Sequence, residues 1–267
     1  MLPYLFQIYG PMYANCYGIA IATGIMVFAY FVNQDPRRAK ILSSEQLNTM
    51  ILWGTLVGVI GGRLLWVASN WPMSCYEALE LWEGGFAVLG SIIAILLFLP
   101  AYLRKNQIAI FPLLDLAAIY APLLQSIARI GCFLAGCCYG MPTNLGWGVI
   151  YTHPDVAVPL ELRYLPIHPT QLYSSLILFV IFLLMHHVFS KYVTKPGQLL
   201  AIYLMLSSLE RFLVDFWRAD QEFFDLEYLQ ILAIHQWVAF GIFTSALTLF
   251  IYQNNRKQQN GSKWSNN

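Results

Sequence analysis

The sequence predicts an all-α integral membrane protein of about seven transmembrane helices, with the N-terminus outside (periplasmic) and the C-terminus cytoplasmic. Three observations carry that expectation. Of 267 residues, 58% are hydrophobic and only 11% are charged, where a soluble domain of this length carries roughly a quarter charged. Apolar runs of about 17–25 residues recur, each long enough to cross ~30 Å of hydrocarbon. Lysine and arginine gather in alternate loops, as cytoplasmic loops require.

The elements follow in order. Met1–Met12 carries no positive charge, and the first apolar segment runs on too long for a signal core, so it reads as a spanning helix and no cleavable signal peptide is expected. The spans are roughly 14–33, 47–69, 86–103, 110–130, 170–190, 197–217 and 231–252. Pro36, Pro72, Gly84-Gly85 and Pro196-Gly197 punctuate their boundaries. There is no internal repeat and no low-complexity linker. Residues 1–253 form one membrane domain, and 254–267 a short polar cytoplasmic tail.

Charge sets the orientation. Arg37, Arg38 and Lys40 follow span 1, Arg104 and Lys105 span 3, Lys191 and Lys195 span 5, and Arg256, Lys257 and Lys263 span 7. These are ten of the fifteen basic residues and include every lysine, so this side is cytoplasmic. The opposite loops collect Glu77, Glu80, Glu83, Asp155, Glu161, Asp220, Glu222, Asp225 and Glu227. Trp66, Trp71, Trp82, Trp147 and Trp217 also fall at or beyond the outer span ends, where amphipathic rings favour the interface. No basic stripe stands on a polar face, so nucleic acid is not an expected partner.

Five basic residues break the pattern, and all are arginine. Arg163 lies in an outer loop, while Arg63, Arg129, Arg211 and Arg218 lie in or at the ends of the outward-running spans 2, 4 and 6. A charge at the bilayer centre costs a few kcal/mol on insertion scales. Snorkelling to headgroups or pairing with acids is one account, and Arg211, Asp215 and Arg218 do share a helix face at i, i+4 and i+7. Four arginines at one depth point instead to a site for an anionic headgroup open to the outer leaflet, because the planar guanidinium fork matches phosphate.

The residues around these arginines resemble the prolipoprotein diacylglyceryl transferase family. The likeness runs from about Tyr9 to Asp220. It includes Cys16-Tyr17-Gly18, Gly61-Gly62-Arg63, Trp82-Glu83-Gly84-Gly85, Asp115 with Ala121-Pro122, and Arg129-Ile130-Gly131 opening the signature segment. Gly140, Trp147-Gly148, His168-Pro169-Thr170-Gln171-Leu172-Tyr173 and Arg211-x-x-x-Asp215-Phe216-x-Arg218 complete it. The resemblance implies a multi-pass enzyme of the bacterial inner membrane. It would move diacylglycerol from phosphatidylglycerol to the lipobox cysteine of a prelipoprotein, with no cofactor or metal. It further implies that Arg129 and Arg211 are the two essential arginines, holding phosphate and stabilising the charge on departing glycerol phosphate. Tyr17 matches a functional tyrosine. Arg63, Gly131, Gly140, Gln171, Tyr173, Asp215 and Arg218 are carried over as substrate-binding positions, Asp215 standing where the family has glutamate.

The chain also departs from the family. Where a histidine proposed to activate the thiol usually follows the glycine pair, the run here is Phe86-Ala87-Val88-Leu89-Gly90, and Leu89 cannot move a proton. Cys132 stands for an asparagine, Cys137 for a polar or acidic residue, and Ser207 for a tyrosine. Cys132, Cys137 and Cys138 therefore lie within seven residues. They read as reactive thiols activated by arginine, as a metal site completed by a histidine, though the i, i+5, i+6 spacing matches no established zinc pattern, as a disulfide with Cys75 as one partner, or as small soft packing residues. His168 is the expected general base, its ordinary pKa near 6.5 suiting a thiol; the structural alternative is that it fixes the entry to span 5. His153 is a weaker candidate, His186 and His187 lie at the opposite end, and His235 reads as a packed residue.

Three functional readings follow. One is the transferase. Another is a diverged relative that binds an anionic phospholipid and uses another acceptor, or serves as a lipid-binding partner protein. The third, a transporter, is disfavoured by short loops and the absence of paired broken helices.

Overall fold

The computed structural model describes residues 3–9, 12–72, 85–223 and 231–255. Its architecture is a bundle of long helices: α1 Cys16–Gln34, α2 Ser44–Ser69, α3 Val88–Lys105, α4 Ile110–Ala135, α5 Thr170–Leu184, α6 Gln198–Asp215 and α7 Ile234–Asn255. A π turn over Met185–Phe189 and a last turn over Ser190–Tyr192 extend α5, so this helix reaches 23 residues. Six of these helices are long and apolar enough to cross a membrane by length and composition, so this is a multi-span membrane protein. The helix outside that group is α6, which is long enough but carries Glu210, Arg211 and Asp215.

The expected spans recur with shifted ends. Helix α2 starts earlier because Ser43 and Gln46 form a reciprocal capping box, each side chain meeting the other's backbone N–H. Helix α4 runs on to Ala135 and stops at Gly136, whose φ of 76° is the left-handed terminator that glycine tolerates. That extension places Cys132 on the helix and Cys137 and Cys138 beyond it. One departure from an all-helical chain precedes α1. Strands β1 Tyr4–Tyr9 and β2 Met12–Asn15 pair antiparallel, and Asn15 then caps α1 by accepting from the Tyr17 N–H.

Helix α4 is the axis of the bundle, packing against α1, α5 and α6, while α2 pairs with α3 and α6 with α7. The apolar core gathers Leu113, Leu116, Ile119, Tyr120 and Leu123 of α4 with Leu178 and Ile181 of α5, Met185 of its extension and Leu199 and Ile202 of α6. Two carboxylates lock this axis. Asp35, just past α1, accepts from Tyr120 of α4 at 2.8 Å and is clasped by Arg37 at 2.6 Å. Asp115 of α4 accepts the backbone N–H groups of Gly197 at 2.6 Å and Leu200 at 2.8 Å, capping α6 from outside its own chain segment. These N–H groups have no intrahelical partner and sit at the positive end of the helix dipole.

Residues 136–169 connect α4 to α5 as a long, mostly irregular loop packed on one end of the bundle. It has its own small core of Tyr151, Val156, Val158 and Ile167. Arg163, the outer-loop arginine, stitches this loop by donating to the carbonyls of Val158 and Val156 at 2.8 and 3.0 Å. Tyr151 anchors it to α4 through the Phe133 carbonyl at 2.9 Å. Long loops of this kind in compact proteins commonly carry function.

Cys75, the segment from Trp82 to Gly84, the acids Glu77, Glu80, Asp225 and Glu227, and the basic residues Arg256, Lys257 and Lys263 lie outside the described residues.

Replacing Asp115 with alanine strips two buried α6 N–H groups of their acceptor. Asp115→Ala is expected to destabilise the bundle by about 2 kcal/mol, with Asp115→Asn intermediate, read as a lowered thermal unfolding midpoint in detergent. An unchanged midpoint would remove Asp115 as the link between α4 and α6.

Candidate anion-binding site

Three arginines converge where the ends of α4 and α6 meet the start of α5. Arg129 stands near the end of α4 and Arg211 near the end of α6, with Arg218 three residues past the end of α6. Together with Cys138, Thr170, Gln171, Ser174 and Val214 they line a small, partly open cavity. The loop after α4 and the chain after α6 are joined backbone to backbone: Gly140 pairs with Arg218, Met141 N–H donates to Trp217 O at 2.9 Å, and Ala219 N–H donates to Tyr139 O at 3.1 Å. This short ladder sets Cys138 and Arg218 on neighbouring walls.

The arginines are not equivalent. Arg218 is nearly buried and grips Asp220 with two nitrogens, at 2.8 and 2.6 Å. Asp215, 1% exposed, lies 3.6 Å from both Arg211 and Arg218 and holds them apart. Arg129 has one side-chain polar contact among the described residues, donating from Nη1 to Cys138 Sγ at 3.7 Å. Arg211 keeps a 23% exposed side chain and only the loose contact with Asp215. Arg218 gives Nε and Nη2 to Asp220 while its buried Nη1 has no hydrogen-bond partner, and Arg129 and Arg211 retain most of their donors for an anion.

Polar atoms around the cavity fit such a ligand. Gln171 donates to the Cys137 carbonyl at 2.8 Å and Thr170 to the Cys138 carbonyl at 2.7 Å. The Gln171 Oε1 is buried with no hydrogen-bond partner, which leaves an acceptor for a ligand hydroxyl. Ser174 donates to Glu210, a buried carboxylate on α6 that electrostatically faces Arg129, Arg211 and Arg218. Sequence reasoning missed Glu210, Ser174, Thr170, Val214 and the partnership of Arg218 with Asp220. The available signal for Glu210 was an acid next to Arg211 inside an apolar helix.

Other expected residues fall elsewhere. Arg63 does not line the cavity. It is buried between α2 and α3, donating to Gly85 O at 2.9 Å with its guanidinium 4.5 Å from the Trp66 ring. The four arginines expected to act together are thus three in the cavity and one apart, because α2 pairs with α3 rather than joining α4 and α6 there. His168 also misses the cavity lining: its Nδ1 meets Tyr173 Oη at 3.2 Å, and Tyr173 accepts from Trp147 at 2.8 Å, forming a separate polar chain on the loop and α5. The His168 backbone does support the site, packing against Gly140 so closely that a Cβ on Gly140 would come within 2.4 Å of the His168 carbonyl. Gly131 serves similarly, letting α4 approach α1 where a Cβ would sit 2.6 Å from Ala20 and 3.2 Å from the Tyr17 backbone. Tyr17 is thereby brought electrostatically near Arg129 and the three cysteines. Leu89 is exposed in the first turn of α3. His153 pairs with Asp155 in the loop, and His186 stacks on Phe182 in the α5 extension.

Cys132, Cys137 and Cys138 are free thiols whose sulfur atoms all lie within 4.8 Å of one another. No histidine joins them among the described residues. The expected disulfide partner Cys75 lies outside those residues. Cys138, beyond the end of α4, is held well below the ordinary thiol range. The Cys132 and Cys137 thiols hydrogen-bond it, burial opposes them, and Arg218 and Arg129 add positive charge.

The family model described as "Prolipoprotein diacylglyceryl transferase" matches residues 3–252. The chain belongs to the prolipoprotein diacylglyceryl transferase family. It is similar to the phosphatidylglycerol–prolipoprotein diacylglyceryl transferase of Clostridium tetani, 30% identical over 96% of this chain and 98% of that one. The Fervidobacterium nodosum protein of the same name is 34% identical over 81% of this chain and 75% of its own length. Thermotoga petrophila has another at 32% identity over 81% and 74%. As a diacylglyceryl transferase family member the chain is a transferase.

A thiol with a depressed pKa stays thiolate as pH falls. Alkylation of Cys138 is therefore expected to change little between about pH 6 and 8, where an ordinary thiol speeds up roughly 75-fold. Quantifying the modified Cys138 peptide by mass spectrometry checks this, and a rate that climbs like an ordinary thiol's would show that the neighbouring thiols and arginines do not hold it ionised.

Proposed function

We propose that this protein transfers the diacylglyceryl group from phosphatidylglycerol to the thiol of a prelipoprotein lipobox cysteine, releasing glycerol phosphate. The observation that carries this reading is the convergence of Arg129, Arg211 and Arg218 on one small cavity. The names of the relatives supply the two substrates.

The chemistry follows from charge. The lipid phosphodiester carries one negative charge, and the departing glycerol phosphate gains a second as the bond breaks. The acceptor sulfur attacks the glyceryl carbon that bears the phosphate, a carbon–sulfur bond forms, and the carbon–oxygen electron pair leaves with the phosphate oxygen. The thiol proton passes to a base or to solvent. Arg129 and Arg211 bind the growing charge more tightly than the starting one, which is what lowers a barrier. Arg218 and Asp215 position Arg211. Gln171 Oε1 accepts a hydroxyl of the glycerol headgroup. Gly131 and Gly140 keep the walls close, and Tyr17 closes the side formed by α1.

Substrates of this kind arrive from a membrane face. We place the bundle as a single domain over 1–253 with seven spans, α6 crossing despite its charges because they face the arginine cavity and not lipid. The N-terminus is outside, the 254–267 tail is cytoplasmic, and the host is the bacterial inner membrane. Lysine in alternate loops supports that sense, and the cavity then faces the outer leaflet. Accessibility of single cysteines placed at Lys105 and Trp147 to a membrane-impermeant maleimide is expected to mark Trp147 alone from outside in intact spheroplasts. Labelling of Lys105 from that side would invert the orientation.

The second reading is a diverged relative that binds an anionic phospholipid and serves another acceptor or partner. Exposed Leu89 and a cavity without a histidine in its lining favour it. Expression in a bacterium depleted of its own transferase separates the two. The first reading expects thioether-linked diacylglyceryl on prelipoproteins by mass spectrometry, and its absence from a folded, inserted protein would leave only the second. Arg129→Ala and Arg211→Ala are each expected to lower transfer by at least about 100-fold, and the lysine substitutions to fail as well because the fork is lost. Full activity in either alanine variant would overturn the role given to the arginines.

A further inference from the structure

The transferase chemistry does not call on three cysteines, yet the fold assembles them with some care. Cys132 ends its turn of α4, and Gly136 reverses the chain. Cys138 then adopts a φ of 57°, a left-handed conformation that costs a non-glycine residue energy. Two successive reversals fold the loop back so that Cys137 and Cys138 return over Cys132. The arrangement is pinned from α5, where Gln171 and Thr170 hold the carbonyls of Cys137 and Cys138. The three sulfurs come within 4.8 Å of each other, and the Cys137 thiol points at the Cys132 carbonyl at 3.8 Å.

We propose that Cys132, Cys137 and Cys138 form a three-sulfur site for a soft, thiophilic metal ion, copper(I). A metal bonded to three sulfurs at about 2.3 Å sets them about 4 Å apart, inside the observed spread. Thiolates select copper(I) among common ions. Zinc prefers four protein ligands in a closed site, and the group holds three sulfurs with no histidine or carboxylate among the described residues. As three copper–sulfur bonds form, Cys138 binds as the thiolate, the Cys132 and Cys137 thiols release their two protons to solvent, and the loaded group carries two negative charges. Arg129, whose Nη1 already donates to Cys138 at 3.7 Å, is the adjacent countercharge. Copper therefore draws Arg129 away from a lipid phosphate. That coupling rests on the phosphate role proposed above, whereas the metal site does not.

Purified full-length protein in detergent, reduced and anaerobic, is titrated with copper(I) against a chromogenic chelator. One copper per chain is expected, withheld from the chelator, with a shell of sulfur neighbours by X-ray absorption. Cys132→Ser and Cys138→Ser should each release it. In the unaltered protein, copper should shield all three cysteines from N-ethylmaleimide, a readout that no folding defect can mimic. Copper surrendered entirely to the chelator, copper retained by both serine variants, or zinc held as tightly as copper would each overturn the site. For the coupling, binding of phosphatidylglycerol in mixed micelles is compared with and without copper, and weakening of at least about tenfold is expected. Equal binding would sink the coupling alone. No phosphatidylglycerol binding in the copper-free protein would sink the phosphate reading, and the coupling with it, while the metal titration stands by itself.

Discussion

Asp215 is the interaction on which the rest of the site depends. It is an almost fully buried carboxylate held 3.6 Å from two guanidinium groups. Charges inside an apolar bundle persist only when paired, and removing one partner of a buried pair is strongly destabilising. A site for a lipid phosphate needs the opposite, arginines with donors to spare. The chain resolves the conflict by uneven sharing. Asp220 takes two donors of Arg218 and Asp215 lies 3.6 Å from a third, Asp215 only leans on Arg211, and among the described residues Arg129 has one side-chain polar contact, with a sulfur atom. The buried carboxylate neutralises the helix end without occupying the fork that faces the cavity.

That arrangement explains the surrounding architecture. Helix α4 must be central because it supplies Arg129 at one end and, at the other, the Asp115 cap that sets the height of α6. Helix α5 must begin where α4 ends, so that Thr170, Gln171 and Ser174 can reach the returning loop and Glu210. The loop over 136–169 has its own core and its own arginine stitch because it has to hold a defined shape over the bundle with little regular structure. Gly140 sits where this loop presses against the backbone of His168, and no larger residue fits that contact without displacing His168.

The cysteine cluster places sulfur beside Arg129. A sulfur close to Arg129 is polarisable and redox- or metal-responsive, where an amide would be a fixed dipole. Leu89 lies apart from these residues, exposed on α3 and outside the cavity lining.

Much of this was legible in the sequence, for physical reasons that local pattern obeys. Spanning helices must be about 20 apolar residues because the bilayer is ~30 Å thick, so six long apolar helices read out from composition. Misplaced arginines stand out because burying charge is costly, so Arg129, Arg211 and Arg218 stood out as candidates before any coordinates. The short N-terminal hairpin was not, since six and four residues of strand carry too little pattern beside an adjoining apolar helix. What only the tertiary structure decided is which charges meet. Arg63 shares the depth of the others but lies against Trp66 and Gly85 because helix pairing, a property of whole surfaces, assigns α2 to α3. His168 turns to Tyr173, and three cysteines spaced i, i+5 and i+6 come together only because two left-handed residues and two side chains of α5 fold the loop back. Helix length and charge cost are set by each segment against its solvent; proximity between segments is set by packing, which no single segment encodes.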